Sequence, residues 1–217
     1  LMPDYSDRLD GALWDEYQPI QKGGTRVDEI KGTGSARASV EFGRILAAEK
    51  KSAAKFLEKT FGVARKSLGL PIGVRETDAL FKTLEEISGK PTPERFAAQR
   101  ARLIDSFVDG HKYVSGVKAA VYGEEDLVAG IVSFLREIGI VPVLCASGGK
   151  SGLLETTIAK IVPEHESLGM KIRKAVDFMD IEEEAEALSP DIFIGNSKGY
   201  KMARRMNKPL VRLGFPI

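Results

Sequence analysis

From Val117 onward the apolar positions fall in short runs separated by amphipathic stretches. Val117 to Tyr122 (VKAAVY) has the look of a buried strand, and Asp126 to Ile138 repeats apolar residues at helical spacing up to Gly139. Ile140 to Cys145 is a second strand, and a helix follows from about Leu153 to Ile161. Further on, the pattern predicts a strand at Lys171 to Val176, an acidic helix at Ile181 to Leu188 and a strand at Asp191 to Ile194. A basic helix at Lys198 to Met206 and a last strand at Leu210 to Leu213 complete the series. Strands alternating with helices imply a parallel sheet covered on both faces, a Rossmann-like open α/β domain.

The first half is less regular. Residues 1 to 24 show no period and are expected to form a long surface loop. A short helix is expected from Thr25, a strand at Ala36 to Phe42, and a Lys-rich helix at Ala47 to Phe61 that Gly62 ends. Leu68 to Ile72 is a short apolar run of strand type, and Arg75 to Ile87 is an amphipathic helix. Pro93 then suits the first helical position, with Thr92 as N-cap and Glu94 in the first turn. Phe96, Leu103, Ile104, Phe107, Val108 and His111 form a helical stripe on this element, and Arg102, Asp105 and Asp109 fall off it. Some twenty residues at about 1.5 Å each make a rod of roughly 30 Å, long enough to join two domains.

Composition narrows the options. The 217 residues are 43% hydrophobic and 29% charged, as in ordinary globular proteins, and the net charge of +1 gives no reason to expect nucleic acid or an anionic membrane as partner. No apolar run approaches the roughly 20 residues that span a bilayer, so no membrane segment is expected. The single cysteine, Cys145, rules out an internal disulfide and suits a reducing cytoplasm. With His111 and His165 as its only histidines, the chain has too few ligands for a thiolate-held cluster or a zinc site of its own. The chain stops at PLVRLGFPI directly after an apolar strand, an ending expected of a piece of a longer protein.

Several short motifs invite chemistry. The first turn of the C-terminal half, Gly123-Glu124-Glu125-Asp126, lacks the GxGxxG of a dinucleotide fold, and its carboxylates would repel phosphate. Ser147-Gly148-Gly149-Lys150-Ser151 resembles the tail of a P-loop, but Leu144 stands where the motif needs its first glycine. What remains there is a flexible loop at a strand's carboxyl end. Gly195, Asn196, Ser197 and Lys198 follow a strand and open a helix, so they could meet an anion or an acidic cofactor edge, or merely cap the helix. Asp105 and Asp109 share one helix face and could hold a hard cation if other oxygens were supplied, or form a solvated surface. His111 suits packing or capping, and Cys145 an inert core position.

Longer stretches carry a family resemblance. SGKPTPERFAAQRARLIDSFVDGHKYVSG, VYGEEDLVAGIVSFLREIGIVPV and DIFIGNSKGYKMARRMNKPLVRLGFPI resemble the nitrogenase component 1 family, nearest to its beta-type side. That side takes in dinitrogenase beta chains and the paralogous chains of the cofactor-assembly scaffold. LMPDYSDRLDGALWDEYQPIQKGGT and LGLPIGVRETDALFKTLEEISGKP resemble the same proteins, so the likeness covers nearly the whole chain. The most specific signals are R-x-R-L-x-D-x-x-x-D-x-H, GNS and P-L-x-R-x-GFP.

The resemblance implies Rossmann-like domains around iron–sulfur and iron–molybdenum-type clusters. It also implies an α2β2 assembly with an alpha-type chain and a second beta-type chain, and an ATP-driven iron protein as electron donor. Residues 1–90 would be the remainder of a middle domain, 91–116 the connecting helix and 117–217 the C-terminal domain. The family's cluster cysteines belong to an N-terminal domain that this sequence does not match, so these residues are expected to bind no cluster alone. Beta chains hold a divalent metal where two of them meet, through two aspartates that match Asp105 and Asp109. Two departures stand out: GEED where many members read GDPD, and GNSKGY where beta chains read GNSYGK. The expected function is thus part of a nitrogenase-type oxidoreductase, with no catalytic residue of its own. The alternatives are a non-catalytic scaffold chain for iron–molybdenum cofactor biosynthesis and a plain Rossmann-like module that binds an anion.

Overall fold

The computed structural model describes residues 16–17, 24–48 and 51–215. Contacts divide the chain into two compact units, Leu1–Ser39 with Ala53–Arg65, and Val40–Ser52 with Lys66–Ile217. The loop expected over residues 1 to 24 lies almost wholly outside the described residues.

The smaller unit contains helices α1 (Val27–Gly32) and α2 (Ala53–Phe61). In it Phe56 and Phe61 meet edge to face at 6.0 Å, and the Phe61 ring lies against Gly34. Strands β1 (Ala38–Phe42) and β2 (Ala64–Leu68) form a two-stranded sheet. Two expectations need correction here. The helix expected from Ala47 begins only at Ala53, because Leu46–Ala48 form a separate 3-10 turn. The strand expected at Leu68 to Ile72 lies at Ala64–Leu68 instead. Gly69 and Pro71 interrupt the apolar run, and its Leu70 and Ile72 serve as packing side chains against the bare backbone of Gly130.

The larger unit is built on five parallel strands: β3 (Lys118–Tyr122), β4 (Val141–Ser147), β5 (Lys171–Lys174), β6 (Ile192–Gly195) and β7 (Leu210–Arg212). Their order is β5-β4-β3-β6-β7. Chain progress therefore reverses between β3 and β6, and the sheet has its topological switch point there. Between the strands run α5 (Glu125–Glu137), α6 (Leu154–Ile161), α7 (Phe178–Leu188) and α8 (Tyr200–Arg205). Alternation sends Ala119 and Val121 into one apolar cluster with Val128, Val132, Leu135 and Ile158. It sends Ala120 and Tyr122 into another with Phe193, Leu144, Ile181 and Met202. Both faces are buried at the central strands β3, β4 and β6, which read as near-continuous apolar runs, whereas the edge strands β5 (KIRK) and β7 (LVR) are largely exposed. The expected fold class is the one observed.

The same unit holds α3 (Gly73–Ser88) and α4 (Glu94–Val114). Glu137, at the end of α5, accepts hydrogen bonds from Val74 N at 2.7 Å and Arg75 N at 3.0 Å, capping α3 from outside its own sequence. Glu137→Ala should therefore lower stability by about 1–2 kcal/mol, read as a shift in the urea midpoint at unchanged slope. Pro93 is the N-cap of α4 rather than its first helical residue, and Thr92 instead donates its N–H to Glu85 at 2.6 Å. The apolar stripe of α4 is only half covered. Phe96 meets Phe81 at 5.3 Å and Phe107 meets Phe134 at 5.9 Å, yet none of the 21 residues is buried.

Candidate functional site

Each carboxylate of the Glu124-Glu125-Asp126 turn has a structural task. Glu124 is the N-cap of α5 and accepts from Asp126 N at 3.1 Å and Leu127 N at 3.0 Å. Those amides are the ones a bound phosphate would use. Buried Glu125 accepts from the Ser151 hydroxyl at 2.9 Å and packs against Gly149. Asp126 accepts from Ile45 N at 2.9 Å and Leu46 N at 3.0 Å, which starts the 3-10 turn after β1. A helix dipole favours three carboxylates at this end, and the chain uses them as internal caps.

The loop Ser147 to Ser151 is tied down rather than flexible, contrary to the sequence expectation. Gly149 N donates to Ser147 Oγ at 3.0 Å, Ala175 N donates to Gly149 O at 2.9 Å, and Val176 N donates to Ser147 O at 3.2 Å. Neighbouring β5 and the Glu125 carboxylate fix it from both sides, and local composition could not reveal either partner.

The structure places Gly195 at the end of β6, buried, with Asn196, Ser197 and exposed Lys198 in the turn that follows. Asn196 Oδ1 accepts from Lys198 N at 3.2 Å, and Asn196 O accepts the Tyr122 hydroxyl at 2.9 Å. This turn therefore stands at the switch point, beside the carboxyl end of β3. Tyr122 was missed by sequence reasoning; its only signal was a bulky residue ending a strand of small ones.

Asp105 and Asp109 are brought together on the outer face of α4, both exposed. Among the described residues no three His, Cys, Asp or Glu side chains come together as a metal site. Two carboxylates offer at most four oxygens, short of the six to eight that calcium takes, so the pair does not complete a hard-cation site by itself. His111 packs on Gly139 and its Nδ1 lies 3.3 Å from Ile138 O, at the end of α5.

Cys145 lies fully buried in β4, where burial pushes its thiol up to about 12 from 9.0. Iron–sulfur clusters need several thiolates, and one sealed thiol does not fit such a group. Burial likewise raises the Tyr122 phenol from 10.0 to about 12. Both groups keep protons in the folded chain that the unfolded chain releases. Their contribution to stability is thus complete below the unfolded values and falls as pH climbs through 9.0 and 10.0 toward about 12. Urea midpoints should decline between about pH 8 and about pH 10.5, and native Cys145 should resist thiol reagents at the lower pH.

A five-stranded parallel sheet with helices between its strands and a topological switch point between β3 and β6 defines a Rossmann-type domain, with the first amides of α5 capped by Glu124. Among the described residues no helix is long and apolar enough to cross a membrane. The chain belongs to the nitrogenase component 1 family: the model of nitrogenase component 1 type oxidoreductases matches residues 6–217. It is 33% identical to the nitrogenase molybdenum-iron protein beta chain of Clostridium pasteurianum, over 100% of this chain and 47% of that protein. It is 30% identical to the iron-molybdenum cofactor biosynthesis protein NifN of Bradyrhizobium diazoefficiens, over 100% of this chain and 43% of that one. The solved structure described as nitrogenase Cp1 at pH 6.5 superposes with a TM-score of 0.91 at 33% identity, covering 99% of this chain and 46% of the other. The chain thus spans about half the length of the relatives it matches.

Proposed function

We propose that this chain forms the second half of a beta-type subunit in a nitrogenase component 1 oxidoreductase, where it supplies architecture and a subunit interface. In that reading the clusters are held elsewhere in the full assembly, with an alpha-type chain, a second beta-type chain and an iron protein as electron donor. Residues 1–90 and 117–217 are then parts of two family domains, with 91–116 between them. The observation that supports the interface is α4. A helix of 21 residues with none buried exposes Leu103 at 42%, Val108 at 70% and Tyr113 at 76%, beside Asp105 and Asp109. An isolated globular domain gains little by leaving such side chains in water, whereas a subunit contact would cover them.

Asp105 and Asp109 are proposed as ligands to a divalent metal at that contact, with the remaining oxygens supplied by the neighbouring subunit. The test is Asp105→Ala combined with Asp109→Ala in the full-length assembly. Bound divalent metal, measured by elemental analysis, should fall, and sedimentation should show weaker pairing of the two beta-type chains. Unchanged metal content and unchanged pairing would remove these two residues from the reading.

A second reading is a scaffold chain for cofactor biosynthesis. It draws on the match to NifN over the whole chain, close in identity to the match with the beta chain. The two readings separate on turnover: a beta-type subunit takes part in substrate reduction, and a scaffold releases a cofactor precursor.

A further inference from the structure

In open α/β sheets small ligands sit in the crevice at the switch point, outside the carboxyl ends of two strands. Here that place lies between β3 and β6, and Tyr122, the last residue of β3, fills it while only 2% exposed. Its hydroxyl donates to Asn196 O at 2.9 Å, and its ring meets Phe178 edge-on at 5.6 Å. The turn after β6 is shaped around the ring. A Cβ at Gly195 would lie 2.5 Å from a Tyr122 ring carbon, and a Cβ at Gly199 would overlap the hydroxyl itself. Neither glycine has a left-handed φ, so backbone conformation does not require glycine at either position. At Gly199 the tyrosine ring does, and at Gly195 the ring acts together with the Tyr122 carbonyl oxygen, which would also lie 2.5 Å from such a Cβ.

We infer that Tyr122 is an internal ligand: its phenol occupies the switch-point seat that related sheet topologies offer to a small molecule, and Gly195 and Gly199 form the cradle of that seat. The chain thereby fills its own crevice and anchors the Asn196 turn with a group that cannot dissociate. Taking the side chain away should leave a cavity for a phenol-sized aromatic, apolar along its walls and with Asn196 O free to accept the guest's hydroxyl. This inference is independent of which nitrogenase-related role the chain plays.

A double-mutant cycle in the full chain tests it, with phenol as the probe. Gly199→Ala alone should lower the melting temperature by about 5 °C or more, since the added methyl must displace a buried side chain. In the Tyr122→Ala background the same change should shift it by only about 1 °C. Millimolar phenol should raise the melting temperature of Tyr122→Ala and leave the parent protein unchanged. If Tyr122→Ala does not fold, Tyr122→Leu serves for the cycle, because it keeps apolar bulk near the strand but lacks the ring tip that meets Gly199. Equal Gly199→Ala penalties in both backgrounds would overturn the inference. So would a Tyr122→Ala protein that phenol does not stabilise.

Discussion

Asp126→Ala should destabilise the protein by about 3 kcal/mol, far more than a substitution at a helix's first turn normally does. The reason is the reach of its carboxylate. It accepts from Ile45 N and Leu46 N, 80 or more positions away in the chain, and its own residue is 9% exposed. Removing it strands two backbone donors without an acceptor and withdraws two charge-assisted bonds. Gly43 reinforces the point: its φ is +113°, and a Cβ there would stand 2.6 Å from Asp126 Oδ2. Asp126→Asn keeps one acceptor and should lose roughly half as much. Urea titration of the two variants and the parent would check both values. A loss near that of an exposed residue would show that water replaces the carboxylate.

Phe193→Ala should cost about 3–5 kcal/mol, the range for emptying a large aromatic site in a core. Phe193 is fully buried in β6, at the middle of the cluster formed with Tyr122, Leu144, Ile181 and Met202. β6 pairs with β3 on one side and β7 on the other, so the strand itself has little freedom to collapse into the void. The contrast is Val108→Ala on α4. That side chain is 70% exposed, so the chain studied without partners should lose less than about 0.5 kcal/mol. Melting temperatures of both variants would show whether the buried sheet and the open helix differ as sharply as their exposures.

The parallel sheet was legible in the sequence because its central strands β3, β4 and β6 are buried on both faces and its helices carry a 3.6-residue period. Ile140 to Cys145 and Asp191 to Ile194 announce themselves by composition alone. The first half was harder. β2 is ARKSL, polar enough to pass for loop, while the apolar LGLPI beside it packs as irregular chain against Gly130. The difference is tertiary and leaves no local trace. The site divides in the same way. Periodicity put Asp105 and Asp109 on one outer face, where the structure has them. Nothing local could show that Glu124, Glu125 and Asp126 cap three different targets, two of them distant in sequence. Nor could spacing reveal that Gly195 and Gly199 lie against Tyr122 at the end of β3.

The GEED turn has a physical role in the fold. Glu125, the third residue of GEED, accepts the Ser151 hydroxyl at 2.9 Å and so ties the turn after β3 to the loop after β4. The two loops touch there, so they act as one local unit. Ser151→Ala should accordingly cost about 1 kcal/mol in the parent and much less once Glu125 is Gln or Ala.

The central proposal is that the chain works as the beta side of a nitrogenase component 1 oxidoreductase. Acetylene reduction by the full-length protein, assembled with its alpha-type partner and supplied with iron protein and ATP, tests it most directly. Sustained, ATP-dependent formation of ethylene is the expected result. An assembly that forms and releases a cofactor precursor but reduces no acetylene would contradict the proposal and leave the scaffold reading in its place.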